Sequence, residues 1–284
     1  MRFGFIQEKA QRYPITILCK VMNVSKSGFF AWRGRPPSKK SNEDKVLEKL
    51  VENAHRDSRG TYGRRRIKVA LAKRGVTVSK NRISRIMAKR CIRGKSPRKF
   101  RVTTIPNPKL ENSPNLVKAI DVTNRLDQVW VSDITYLQTK EGWAYLCIIL
   151  DLHSRKIISW AIDKHMEASL VVTALNSAIK TRKSVEETIF HSDCGGQYKS
   201  NAVRNVLARS GMKQSMTYAG NCYDNATAES FFGTLKSELD QCQFSSIQEA
   251  ECVIFEYIEV FYNRKRLHSS LGYKSPEEFE REAA

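Results

Sequence analysis

The chain has 284 residues and carries 49 Lys/Arg against 29 Asp/Glu, a net charge of +20. Its apolar content, 41%, supplies a core of ordinary size, and no apolar run reaches 18 residues, which argues against a membrane span. The seven cysteines form no CxxC pair and the five histidines no HxxxH pair, so a zinc finger is not indicated; the cysteines are expected to be buried thiols of a reducing compartment. With no signal-peptide pattern at the start, a soluble, cytoplasmic protein is expected.

The charge is unevenly placed. Residues 1–128 hold 32 Lys/Arg and 9 Asp/Glu, whereas residues 129–284 hold 17 and 20. A basic front half joined to a nearly neutral back half predicts a polyanion-binding part followed by a catalytic or structural one.

In chain order, PITILCKVMNVSKSGFFAWRG (14–34) predicts an apolar helix, with Ile15, Ile17, Leu18 and Val21, then a turn at Asn23. Ser25 is placed to cap a second short helix carrying Phe29, Phe30 and Trp32. Helix-turn-helix and plain helical hairpin fit this stretch equally, and Pro36-Pro37-Ser38 closes it. A second segment, 39–93, opens with Ser41 as a cap and a helix carrying Val46, Leu47, Leu50 and Val51. GTYGRRRIKVALAKRG contributes a helix stopped by Gly75, and VSKNRISRIMAKRC another capped by Ser79. In that last helix Ile83, Ile86 and Met87 face inward, while Lys80, Arg82, Arg85, Lys89 and Arg90 stay on the exposed side. A short capped helix with a basic face suits a DNA groove, and Arg64, Arg65 and Arg66 extend the basic surface. Residues 94–128 read as a Pro-rich basic linker.

From 129 the pattern changes. VWVSDITYLQT, GWAYLCIILDLHS and KIISWAIDKH predict three strands joined by hairpin-short turns at Lys140-Glu141 and Ser154-Arg155, hence antiparallel. The helices SLVVTALNSAIKTR and NAVRNVLARSG lead to the strands TIFHSD and MKQSMTY, and crossovers of that length make these parallel to their neighbours. The fold class expected for 129–284 is α/β, a mixed five-stranded sheet with flanking helices, preceded by all-α modules. Three more helices follow, at 225–240, about 247–264 and after Ser275-Pro276, the first capped by Asp224 or Asn225.

Three carboxylates are positioned to converge. Asp133 lies mid-strand in an apolar run, where an unpaired acid is costly. Asp193 ends the strand TIFHSD, and Glu229 lies on the helix of DNATAESFFGTLKSELD. Three such groups repel one another unless a cation joins them, and two Mg²⁺ ions there suit the displacement of a phosphodiester. Lys236 shares the Glu229 face of its helix and suits a backbone phosphate. Each acid also has a bland reading: a strand Asp held by backbone amides, a turn residue before Gly195-Gly196, a solvated helix acid. Asp151 reads as a strand-end residue outside the trio.

WVSDITY, HSDCGGQY, GNCYDNATAESFFGTLKSE and YNRKRLHSSLGYKSPEEFE, with CKVMNVSKSGFFAWRGR and RGTYGRRRIKVAL in front, resemble the transposases of bacterial insertion sequences of the two-reading-frame class. These share the retroviral-integrase type of core. That pattern is Asp, Asp, then Glu after 35 intervening residues, with a basic residue seven further on, and Asp133, Asp193, Glu229 and Lys236 fit it. The resemblance implies a ribonuclease-H-like fold for 129–284 and a Mg²⁺-dependent cut exposing a 3′-hydroxyl that attacks another DNA strand, with Mn²⁺ able to substitute. It implies a synaptic homo-oligomer on DNA at the nucleoid, and an upstream-frame partner or fusion carrying a leucine zipper. No heptad zipper precedes residue 14, so a downstream-frame product is expected. Tyr218-Ala219 stands where many relatives have a basic pair. In the tail, Tyr262, Asn263, Arg264, Arg266 and His268 match the family signature and are expected to combine packing with DNA contact. The rivals to strand transfer are a hydrolytic nuclease of the same fold and a catalytically silent DNA-binding regulator.

Overall fold

The computed structural model describes residues 2–36, 39–96, 113–117, 123–182, 184–217, 226–239 and 243–283. Two compact units divide the chain, 1–51 and 52–284. These limits do not follow the boundaries expected at 38/39, 93/94 and 128/129.

The first unit holds helices α1 (Arg2–Lys9), α2 (Ile15–Val21) and α3 (Lys26–Arg33), and the start of α4 (Lys39–Asp57). Asn23 turns the chain between α2 and α3 with φ of 49°, and the Ser25 Oγ accepts the Gly28 N–H at 3.0 Å, the expected cap. Ile6, Leu18, Cys19 and Phe29 form a small core, with Phe3 and Trp32 stacked beside it. Ile17, Val21, Phe30 and Trp32 are exposed. Seven- and eight-residue helices have room to bury only one narrow stripe. Helix α4 begins at Lys39, ahead of the cap expected at Ser41.

In the second unit, α5 (Arg64–Ala72) and α6 (Lys80–Lys89) follow. Gly75 takes φ of +78° after α5, and the Ser79 Oγ accepts the Arg82 N–H at 3.2 Å. Ile83, Ile86 and Met87 are buried as the periodicity predicts. The sheet comprises β1 (Val129–Thr139), β2 (Gly142–Asp151), β3 (Ile157–Asp163), β4 (Ile189–Ser192) and β5 (Lys213–Met216) in the order β3-β2-β1-β4-β5. The pairs β1–β2 and β2–β3 are antiparallel; β1–β4 and β4–β5 are parallel. Both hairpins and both helical crossovers, through α7 (Ala168–Thr181) and α8 (Asn201–Arg209), therefore match the sequence reading.

Strand alternation assigns the faces of β1. Trp130 points with Ile149, Phe190 and Tyr198 into the core formed with Leu170, Leu175 and Leu207 of α7 and α8. The odd-numbered residues Val129, Val131 and Asp133 point to the other face, and α9 (Ala226–Glu238) packs against β1. α10 (Ile247–Phe255) runs on into a π-helical turn, Glu256–Tyr262, where a single α-helix was expected. Tyr257, Ile258, Phe261 and Tyr262 of this turn are buried. Asn263 then clasps β3, its Nδ2 donating to the Ile157 carbonyl at 2.9 Å and its Oδ1 accepting the Ile157 N–H at 3.0 Å. α11 (Pro276–Ala283) is held by Glu280, which pairs with Arg182 at 2.5 Å and Lys156 at 2.8 Å.

Residues 52–96 belong to the same unit as the sheet. The Tyr62 hydroxyl donates to the Lys265 carbonyl at 3.1 Å and accepts the Leu267 N–H at 2.7 Å. Lys73 pairs with Glu278 at 2.6 Å. Among the described cysteines, Cys19 and Cys147 are buried, but Cys91 and Cys252 are exposed, against expectation. Among the described residues no helix is long and apolar enough to cross a membrane. Asp224, Asn225, Tyr218-Ala219 and most of the linker lie outside the described residues.

Candidate active site

Two adjacent parallel strands set the first two carboxylates side by side. Val131 of β1 stands opposite His191 of β4. The same register, carried two residues on, brings Asp133 level with Asp193, which follows the last residue of β4. Both sit on the face away from the Trp130 core. The strand is fixed beside this point by Ser132, whose Oγ donates to the Ile148 carbonyl at 2.8 Å and lies 2.9 Å from the Tyr198 hydroxyl.

Asp133 accepts the Ile134 N–H at 2.8 Å. Its carboxyl is nonetheless pushed up to about 7, first by burial, then by Asp193, with Glu229 adding to the effect and Lys236 opposing it. Asp193 accepts the Gly195 N–H at 3.0 Å and is raised by burial, against that hydrogen bond and the Lys199 charge. A side chain at Gly195 would meet Asp193 Oδ1 and Gln197 Oε1, each at 3.0 Å, so the turn that orients Asp193 is tight at this position. Glu229, half-buried on the first turn of α9, is also raised, by burial and by Asp193. Asp133 thus feels both other acids and Glu229 feels Asp193, from three separate elements. Among the described residues no three acids, histidines or cysteines stand close enough, as the side chains now lie, to hold a metal ion.

Lys236 lies two turns along α9 from Glu229. Its ammonium sits 4.3 Å from the centroid of the exposed Tyr136 ring, and burial lowers its pKa while Asp133 opposes the change. Asp151 stays apart from the trio: it is fully buried and accepts the N–H groups of Asp127 and Ser154, each at 2.7 Å.

The basic residues fall into two groups. Arg64, Arg65, Lys80, Arg85 and Lys89 are exposed, and Arg82 is half-buried. Arg66, expected to join Arg64 and Arg65 at the surface, turns inward and lies over the Tyr62 ring at 5.7 Å. Arg264 is exposed beside Glu277 at 3.4 Å. Arg266, expected at DNA, is instead buried, with a side chain 6% exposed, and forks onto Glu238 at 2.9 Å. The Glu238 carboxylate also accepts the Tyr257 hydroxyl at 2.8 Å. His268 stacks edge-on against Tyr262 and is pushed down to about 2 by burial and then Arg266. It stays neutral and packs against Tyr262, one part of the packing and DNA contact expected of it. Glu238 and Lys95, which complete this cluster, carry no local motif that sets them apart in the sequence.

Comparison with known proteins adds to this geometry. The integrase core domain family matches residues 123–222, a second integrase core domain family matches 210–276, and an HTH-like domain matches 41–100. The insertion element IS600 uncharacterized 31 kDa protein of Shigella sonnei is 42% identical over 263 residues, 92% of this chain and 97% of that one. Transposase InsF for insertion sequence IS3A of Escherichia coli (strain K12) is 35% identical over 283 residues, 99% and 98% of the two chains. Among solved structures, the simian T-cell lymphotropic virus intasome matches at 17% identity and a TM-score of 0.45, over 75% of this chain and 69% of that one. The near-full-length likeness, the two integrase core matches and the mixed five-stranded sheet give one conclusion: the chain belongs to the IS3 family of insertion-sequence transposases, with a ribonuclease-H-like integrase core behind an HTH-like region.

Proposed function

We propose that Asp133, Asp193 and Glu229 form the catalytic site of a divalent-metal-dependent strand-joining reaction on DNA. The observation that carries this reading is a buried Asp133 set level with Asp193 by the β1–β4 register, with its carboxyl raised by burial, by Asp193 and by Glu229. Such a set is stable in its charged form only beside added positive charge, and all-oxygen donors suit Mg²⁺ or Mn²⁺. The three side chains would hold the ions, Asp133 and Asp193 from the sheet side and Glu229 from a helix face. A bound divalent pair supplies charge neutralisation at the attacking and leaving oxygens of a phosphodiester. The chain's own residues do the rest. The β1–β4 register fixes Asp133 beside Asp193, and the Gly195 N–H orients the Asp193 carboxylate. Lys236 offers its ammonium to a backbone phosphate next to the carboxylates. On the other part of the unit, Arg64, Arg65, Lys80, Arg85 and Lys89 suit phosphate contacts along a duplex, and α6 suits a groove. Joining two element ends further calls for at least two copies of the chain.

A joining assay tests this. Purified chain with Mg²⁺ and a labelled duplex of the element's end should give strand-joined product, and Glu229→Gln should give none. Cleavage without joining would assign a hydrolytic nuclease. Absence of product, alone and after fusion to the upstream frame, would assign a regulator.

A further inference from the structure

Helix α9 has a second polar face. Thr227, Phe231, Thr234 and Glu238 lie about half a turn around from Glu229 and Lys236 and line a cavity of 270 Å³. Arg66, Lys95, Arg155 and Arg266 complete its polar wall. Arg266 is neutralised by Glu238, its bidentate partner. None of the other three cations makes an ion-pair contact among the described residues, with Glu238 acting on Arg66 and Asp151 on Arg155 only from a distance. Arg155 donates to the Thr227 hydroxyl at 2.5 Å, Lys95 to the Glu238 backbone carbonyl at 3.0 Å, and Arg66 rests on Tyr62. The wall therefore carries an excess of three positive charges, and burial depresses the pKa of both Arg66 and Arg155. Arg155 is also held in the left-handed region, φ of 61°, an uncommon conformation for an arginine, at the turn that aims it inward. Gathering unpaired cations around a cavity is costly without an anion to meet them. At about 30 Å³ per water the space holds a phosphate group with several waters beside it. Guanidinium forks and threonine hydroxyls supply the donors that phosphate oxygens accept.

We infer that this cavity is an anion site for a phosphate group, on the face of α9 opposite the carboxylates. The phosphate is either a DNA backbone phosphodiester or free phosphate; only the first alternative rests on the strand-joining reading.

The test uses the full chain without metal, melted in inorganic phosphate and in chloride of equal ionic strength. Phosphate at a hundred times its Kd should raise the folding constant about a hundredfold in the wild type. Glu229→Gln should respond like the wild type. Arg66→Gln/Lys95→Gln should lose the response, and Thr234→Val, which keeps every charge, should weaken it by about tenfold in Kd. No phosphate effect beyond chloride, or an equal effect in wild type and Arg66→Gln/Lys95→Gln, would overturn the site. Duplex binding then separates the sources. If the double variant loses DNA affinity and phosphate competes with duplex on the wild type, the occupant is a backbone phosphodiester; if DNA affinity is unchanged, it is free phosphate. A phosphate response that survives alongside a failed joining assay leaves this site standing and removes the catalytic reading.

Discussion

Helix α9 carries two glutamates with opposite fates. Glu238 is met from inside the chain: Arg266 forks onto it, Tyr257 donates to it, and its side chain is 5% exposed. Glu229, two and a half turns earlier, meets only like charges, and burial and Asp193 raise its pKa. One end of the helix is closed electrostatically and contributes to the fold. The other is left open, and its charge balance must come from outside. The difference separates a structural carboxylate from the one proposed to be catalytic without reference to any motif, because only the open one gains by binding something.

The largest effect should come from the open end. Glu229→Gln should lower strand joining by about three orders of magnitude or more, the scale expected for a group that acts with its partners as a unit, while leaving the melting temperature unchanged or slightly raised. Activity and thermal melts on the same preparation check both halves. The closed end should behave in reverse. Arg266→Met leaves Glu238 buried without a cation and should cost about 3–5 kcal/mol in urea unfolding. Adding Glu238→Leu should return most of that loss, since a buried pair is often replaceable by apolar packing. If Arg266→Met instead left stability intact and weakened DNA binding alone, the structural role assigned to Arg266 would be wrong.

The sheet was largely legible in the sequence. Turns as short as Lys140-Glu141 and Ser154-Arg155 leave only an antiparallel pairing, and the two helical crossovers leave only parallel ones, so strand direction followed from connection length, while the place of β4 beside β1 did not. Asp133 announced itself as an acid in an apolar strand, and Ser25 and Ser79 as caps. What escaped depends on contacts distant in sequence. Nothing near Arg266 shows that its partner is Glu238, 28 residues away, so a surface contact was expected for a buried group. The π-helical turn conceals itself because it adds a residue without changing composition. Arg66 shares a run with Arg64 and Arg65, yet helical rotation turns it inward, over Tyr62. The compact unit joining 52–96 to the sheet rests on Tyr62, Lys73 and Lys95, none of which forms a pattern by itself.

A second closed carboxylate sharpens the contrast through pH. Burial alone would raise Glu280, but hydrogen bonds from Arg182 and Lys156 outweigh it and hold the carboxyl below its ordinary value. A depressed acid stabilises the fold above its unfolded pKa, about 4.3 for Glu. That contribution is lost as pH falls through the lower, folded value. Melts of wild type and Glu280→Gln from pH 7 to pH 3 should therefore converge below about pH 4. A gap that stays constant across that range would mean that the network is packing rather than charge. The smallest effect belongs to the caps: Ser79→Ala should cost about 1 kcal/mol, with DNA binding by α6 weakened only in proportion to unfolding.

The most direct test of the open carboxylate set is a thermal melt in Mn²⁺ and Mg²⁺, with Ca²⁺-free buffer at fixed ionic strength. The wild type should gain about 2.7 kcal/mol when the ion is at a hundred times its Kd, while Asp133→Asn/Glu229→Gln should gain nothing and Arg266→Met should keep the full increment on its lower baseline. Equal stabilisation of the wild type and Asp133→Asn/Glu229→Gln would place the ion elsewhere and contradict the site.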